Sequence, residues 1–129
     1  MAAVASKARL CSITPQFLVQ SLDKALSYYT ETLGFEIAFT YSDFYAGVAR
    51  DGLVIHLKLS DEADPSRAFK QQHEHLDVYF STDDVEALYR EYQSQGVSFL
   101  KPLQATPWGT REFVVQDGDG YILYFGQQA

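Results

Sequence analysis

The chain has 129 residues, enough for one domain with its own core, and 47% hydrophobic and 15% aromatic residues to fill it. A net charge of −7 argues against DNA or RNA as the main partner, because nucleic acids demand a basic footprint. No apolar run approaches a membrane span, MAAVASKARLCS lacks the apolar core of a signal peptide, and the single cysteine, Cys11, cannot form an internal disulfide; together these place the chain in the cytoplasm.

Residues 1–11 read as a flexible N-terminal arm, and residues 12–129 as one domain. Ile13 to Val19 reads as a strand, with Pro15 setting it at an edge or a start. Ser21 is a suitable N-cap for a helix over about 22–33, where Leu22, Ala25, Leu26, Tyr29 and Leu33 recur at helical spacing. Gly34 supplies the left-handed stop, after which Phe35, Ile37 and Phe39 alternate as one buried strand face. Tyr45 to Arg50 and Leu53 to Leu59 form a hairpin through Asp51-Gly52. Residues 61–73 are a polar linker.

A second unit follows the same plan. His75 to Phe80 is a strand, and Asp83 and Asp84 suit the start of a helix carrying Val85, Leu88 and Tyr92 on its apolar stripe. Gly96 ends that helix, Val97 to Leu100 is the next strand, and residues 101–110 form a loop with Trp108. Arg111 to Gln116 and Tyr121 to Phe125 are the last strands. VQSLDKALSYYTETLGFEI at 19–37 and FSTDDVEALYREYQSQGVSF at 80–99 are therefore two copies of one supersecondary unit. The fold class is α+β, with modules at about 12–60 and 74–127. Two copies of a curled unit enclose a cleft, so equivalent positions are candidate site residues.

LDKALSYYTETLGFEI resembles the helix-to-strand signature of the vicinal oxygen chelate superfamily, the glyoxalase, bleomycin resistance and dioxygenase proteins. WGTREFVVQDGDGYILYF is similar to the terminal signature of its bleomycin-resistance-like branch. The resemblance implies two βαβββ modules, each half of an open eight-stranded cup, with the cup completed across a homodimer. It also implies four metal-ligand positions, which fall on Thr14, His56, His75 and Tyr124. Two of these are imidazoles. A threonine hydroxyl is a poor ligand, and a tyrosine must first lose a proton whose ordinary pKa is about 10. The carboxylates near them by alternation are Asp77 and Glu112.

Alternation places the other polar groups. Leu53, Ile55, Leu57 and Leu59 form the oily face of their strand, leaving Val54, His56 and Lys58 toward the cup. Leu76, Val78 and Phe80 pack inward, leaving His75, Asp77 and Tyr79. Leu123 and Phe125 pack, leaving Tyr124. Thr14 and Gln16 take the cup face of the first strand, and Phe44, Tyr45, Trp108 and Glu112 complete the candidate cleft. Convergent tyrosine, histidine, aspartate and lysine side chains in one concavity suit a polar ligand, and the aromatics at its mouth suit a planar or cationic one.

The sequence therefore reads as a metal-independent small-molecule binder with no cofactor, holding a drug-like ligand in a dimer cleft in the manner of antibiotic-resistance proteins. The alternative is a metal-dependent lyase, isomerase or dioxygenase with an atypical ligand set. A third possibility is an assembly module with an empty groove.

Overall fold

The computed structural model describes residues 8–129. Most of the expected arm lies outside the described residues, and residues 8–15 carry no regular structure, with Leu10 and Ile13 exposed.

The first module contains β1 (Gln16–Val19), α1 (Leu22–Ser27), β2 (Glu36–Tyr41), β3 (Tyr45–Arg50) and β4 (Leu53–Leu59). Its sheet order is β1-β4-β3-β2, with β1 parallel to β4 and the other pairs antiparallel. The second module contains β5 (Val78–Ser81), α3 (Val85–Ser94), β6 (Phe99–Ala105), β7 (Thr110–Gln116) and β8 (Ile122–Gln128), in the order β5-β8-β7-β6. One plan is used twice, as the repeat requires. Between the modules the expected linker contains a short helix, α2 (Arg67–Gln72), which its polar composition did not announce. No helix among the described residues is long and apolar enough to cross a membrane.

Local chemistry explains the element boundaries. Ser21 accepts a hydrogen bond from the Lys24 amide and caps α1, and Asp84 does the same for α3 through the Ala87 amide. Gly34 and Gly96 both adopt the left-handed conformation that ends each helical segment. The helices differ in one respect. From Tyr29 to Gly34 is one residue further than from Tyr92 to Gly96, and α1 absorbs the extra residue by running into a π-helical turn, Tyr28–Thr32. The Leu33 amide donates five residues back, to the Tyr28 carbonyl.

The core lies where the helices of both modules meet both sheets. The first sheet contributes mainly aliphatic groups, Val48, Ile55 and Leu57, all essentially inaccessible to solvent. The second contributes aromatic rings: Phe113 stacks on Phe125 at 5.1 Å, and Phe125 stacks on Phe80 at 5.0 Å. The modules are also joined by polar side chains. The Tyr29 hydroxyl donates to Asp117 Oδ2 at 2.6 Å, and the Tyr92 hydroxyl donates to the Leu33 carbonyl at 2.9 Å. Arg50 forks onto both carboxylate oxygens of Glu91 at 2.7 and 2.9 Å. The outer edge of β1 is met by the β7–β8 turn: the Leu18 amide donates to the Tyr121 hydroxyl and the Gln20 amide to Asp119.

Two expectations about faces are corrected. Phe35, Ile37 and Phe39 do not share a buried face: Phe35 is buried, but every residue of β2 is exposed. The register of β2 slips between Ile37 and Phe39, so Ile37 stands opposite the core residue Val48 while Phe39 stands opposite Gly47 on the other face. A bulge shifts the alternation by one residue and turns Phe39 into the cup. Leu53 and Leu76, expected to pack, are exposed because each lies at or before the end of its strand.

Candidate functional site

The pairing registers define a row of cup-facing positions in each sheet, since directly opposed residues share a face. In the first module the row is Gln16, His56, Gly47 and Phe39. In the second it is Tyr79, Tyr124, Val114 and Lys101. One step along the strands, Tyr45 opposes Lys58 in the first sheet, and Glu112 opposes Gly126 in the second. His56 thus corresponds to Tyr124, Gln16 to Tyr79, Tyr45 to Glu112 and Lys58 to Gly126.

The first half-cup is a neutral hydrogen-bond relay under an aromatic cover. Gln16 Nε2 donates to the Tyr45 hydroxyl at 3.0 Å, and that hydroxyl lies 3.0 Å from His56 Nδ1. The hydroxyl donates to Nδ1 or accepts from it according to the imidazole tautomer. Phe39 stands edge-on to the His56 ring at 5.2 Å and stacks with Tyr45 at 6.2 Å. Gly47 makes this possible, because a Cβ there would collide with the Phe39 ring. Phe39 was assigned to the core from the sequence. The signal that could have found it is the glycine at the centre of β3.

The second half-cup contains a carboxylate. Glu112 is 6% exposed, and its Oε2 accepts hydrogen bonds from the Tyr79 hydroxyl and from Thr110 Oγ1, each at 2.8 Å. Burial first, and then Glu112, push the Tyr79 pKa up to about 12. Here too a glycine provides the space: a Cβ at Gly126 would collide with the Tyr79 hydroxyl and press on Glu112. Tyr124 lies beside Tyr79, ring centres 6.4 Å apart. Lys101 projects into the same half-cup and is paired with Glu74 at 2.6 Å. Arg111 pairs with Glu86 rather than with its neighbour Glu112. Thr110 and Lys101 were not singled out from the sequence, and only the register places them.

A cavity of about 770 Å³ lies between the open edges of the two sheets, where Thr14 and Val54 of the first module face Tyr79 of the second. This is the size range of small-molecule sites. Phe44 and Tyr41 meet edge to face at 5.7 Å in the turn before β3, and Trp108 stands 71% exposed in the β6–β7 turn. Lys58 is exposed on β4.

Asp77 and His75 fall elsewhere than expected. Asp77 Oδ1 accepts from Arg67 Nη2 and Lys70 Nζ, and Oδ2 accepts from Arg67 Nη1 and the Ile122 amide. Burial alone would raise its pKa, but these four donors outweigh it and hold the carboxyl below the usual range. Both oxygens are spent on fixing α2 against the second sheet, with Arg67 also lying 4.0 Å over the Tyr121 ring. Asp77 therefore has no oxygen free for a ligand. His75 precedes β5 and packs on Phe69 and His73, at 5.5 and 6.0 Å. The register also shifts the expected metal set. Gln16 corresponds to Tyr79, so Thr14 corresponds to Asp77 and not to His75.

The residues present do not fit a metal. The equivalent set Thr14, His56, Asp77 and Tyr124 offers a neutral hydroxyl, an imidazole held in a relay, a carboxylate saturated by cations and a phenol. No group of three or more histidine, cysteine or acidic side chains among the described residues is arranged to hold an ion.

The Glyoxalase/Bleomycin resistance protein/Dioxygenase superfamily profile matches residues 12–125. The chain belongs to that superfamily. No curated protein matches it. Among solved structures it is similar to a bleomycin-binding protein complexed with bleomycin, with TM-score 0.73 and 22% identity over 93% of this chain and 100% of the other. It is also similar to the bleomycin-binding protein from Streptomyces verticillus complexed with copper(II)-bleomycin, with TM-score 0.71 and 23% identity over 92% and 97%. A third, TioX from Micromonospora sp. ML1, gives TM-score 0.73 and 17% identity over 93% and 100%. At these identities the likeness establishes a superfamily fold, the two-module α+β arrangement described above.

Proposed function

We propose that the protein is a metal-independent small-molecule binder of the bleomycin-resistance type. The observation that carries this reading is the chemistry of the two half-cups. Both are lined by aromatic and hydrogen-bonding groups, and neither offers a ligand set for a catalytic ion. The mechanism is sequestration: a polar or cationic aromatic compound enters the cleft and is kept from its target. Residues 12–129 act as one binding domain, and two copies associate so that modules from both chains complete each cup. The exposed face of β2, with Phe39 and Tyr41 in the open, supports that association. The binder works in the cytoplasm and confers resistance to its ligand.

The surroundings of His56 support metal independence: its Nδ1 is engaged by the Tyr45 hydroxyl, and among the described residues it is not joined by two further histidine, cysteine or acidic side chains that could share an ion. Metal analysis of the purified protein, followed by a thermal-shift panel of divalent ions and cationic aromatic compounds, tests the reading. A cationic compound should raise the melting temperature, and metals should leave it unchanged. Stoichiometric zinc, iron, manganese or nickel, with activity lost on chelation, would overturn it.

A further inference from the structure

Under that binding reading, the second half-cup also specifies the chemical class of the ligand. Glu112 is a buried carboxylate with only one of its two oxygens satisfied. Oε2 accepts both the Tyr79 and Thr110 hydroxyls, whereas Oε1 accepts no hydrogen bond among the described residues. Nor is Oε1 sealed from solvent. Among the described residues the one fully enclosed, unpartnered side-chain atom is Arg67 Nε. The carboxylate is held rigidly. Tyr79 crosses Gly126 to reach it, and Thr110 is itself fixed by the Thr106 hydroxyl at 2.7 Å.

Among the described residues no cation is bonded to it. Arg111 reaches Glu86, and the ammonium of Lys101 sits on Glu74. Water reaches that oxygen in the free protein, so a ligand that displaces the water must bring a donor of its own. An N–H donor that carries positive charge gives the strongest such bond. Beside it, the tyrosine rings at 79 and 124 offer electron-rich faces for the same cation or its attached aromatic system. The equivalent position in the first module is Tyr45, whose hydroxyl is already bonded to both Gln16 and His56. Selection for charge therefore resides in one half-cup only.

We propose that Glu112 Oε1 anchors a protonated nitrogen of the ligand, an ammonium or guanidinium group attached to an aromatic ring, with Tyr79 and Thr110 as the positioning residues. The closing experiment uses the full chain and two probes of matched shape, tryptamine and tryptophol, which differ in ammonium against hydroxyl. Binding is read residue by residue from NMR amide shifts. Wild type should bind tryptamine about tenfold more tightly than tryptophol, with shifts at Tyr79, Glu112 and Tyr124. Glu112→Gln keeps an acceptor for both hydroxyls. It should remove the preference, weakening tryptamine about tenfold and tryptophol less than twofold. Tyr79→Phe keeps the ring but leaves Oε2 with the Thr110 hydroxyl alone, and should reduce the preference without abolishing it; it stands in should Glu112→Gln not fold. Equal binding of the two probes by wild type would overturn the anchor and leave the cleft reading standing. So would an equal loss of both in Glu112→Gln. No cup shift with either probe up to about 10 mM would overturn both.

Discussion

The two modules share a strand order, a bulge at the same point of β2 and β6, and the same diagonal contact across the sheet, yet they put different chemistry on it. In the first module Gln16 reaches across to Tyr45; in the second Tyr79 reaches across to Glu112. One replacement, phenol by carboxylate, changes a neutral relay into a charged pocket. A second, Lys58 against Gly126, removes the side chain that would block Tyr79. The residue after the bulge differs too, Phe39 in one and Lys101 in the other. The comparison teaches that the backbone plan carries the cleft, and that three or four cup-facing positions decide what each half does with it.

The cores differ as well, and mutation can break that contrast. Phe113→Ala should cost about 4 kcal/mol, because its ring stacks on Phe125 and meets Tyr92 and Phe99. Ile55→Val in the aliphatic half should cost about 1 kcal/mol, so urea midpoints should separate the two variants clearly. Equal midpoints would mean that the Phe113 ring contributes far less than its complete burial implies.

Asp77→Ala should cost about 3 kcal/mol, since it leaves the guanidinium of Arg67 buried without its partner. Proteolysis within residues 61–73 should accelerate in parallel, because Asp77 is what ties α2 to the second sheet. The tyrosines joining the modules should rank next. Tyr29→Phe leaves an oxygen of buried Asp117 without its donor and should cost about 2 kcal/mol. Tyr92→Phe should cost about 1 kcal/mol, because the Leu33 carbonyl keeps its bond from Arg50.

The last contrast is one of pH, and it sets the two buried aspartates apart. Burial pushes the Asp117 carboxyl up to about 6 from an ordinary value of 3.8, despite its hydrogen bonds from Tyr29 and the turn amides. Its contribution to stability is complete below the unfolded value and is lost as pH rises through the folded one. The stability of wild type relative to Asp117→Asn should therefore fall between about pH 4 and pH 6. Asp77, held low by its cations, acts in the other direction. Its stabilisation is present above the unfolded value and is lost only as pH falls through the lowered folded value. Denaturation curves from about pH 2 to about pH 7 check both signs.

Much of this architecture was legible in the sequence. Helical spacing, the capping Ser21 and Asp84, Gly34 and Gly96, and the Asp51-Gly52 hairpin each encode a local geometry, and the repeat brings them into one plan. Phe39 was misplaced because alternation assumes an unbroken strand, and a bulge at Ala38 has no side-chain signature. The extension of β6 through residues 101–105 was hidden by Pro102 for a similar reason: edge strands tolerate what central strands do not. Asp77 had the alternation of a cup residue. Its real partners, Arg67 and Lys70, lie in a segment whose composition suggested only a tether. At the site, the candidates Gln16, Tyr45 and His56 do meet, as do Tyr79, Glu112 and Tyr124. Which of their atoms remain free depended on the register.

The side chains that cover the edge of β1 bear on how such a chain can exist at all. Tyr121 and Asp119, from the far end of the sequence, bond the amides of Leu18 and Gln20. An uncovered strand edge recruits other strands. A chain cut within residues 61–73 would thus yield halves that do not remain solitary: the first would pair its bare edge with another copy or be rescued by the second half supplied separately.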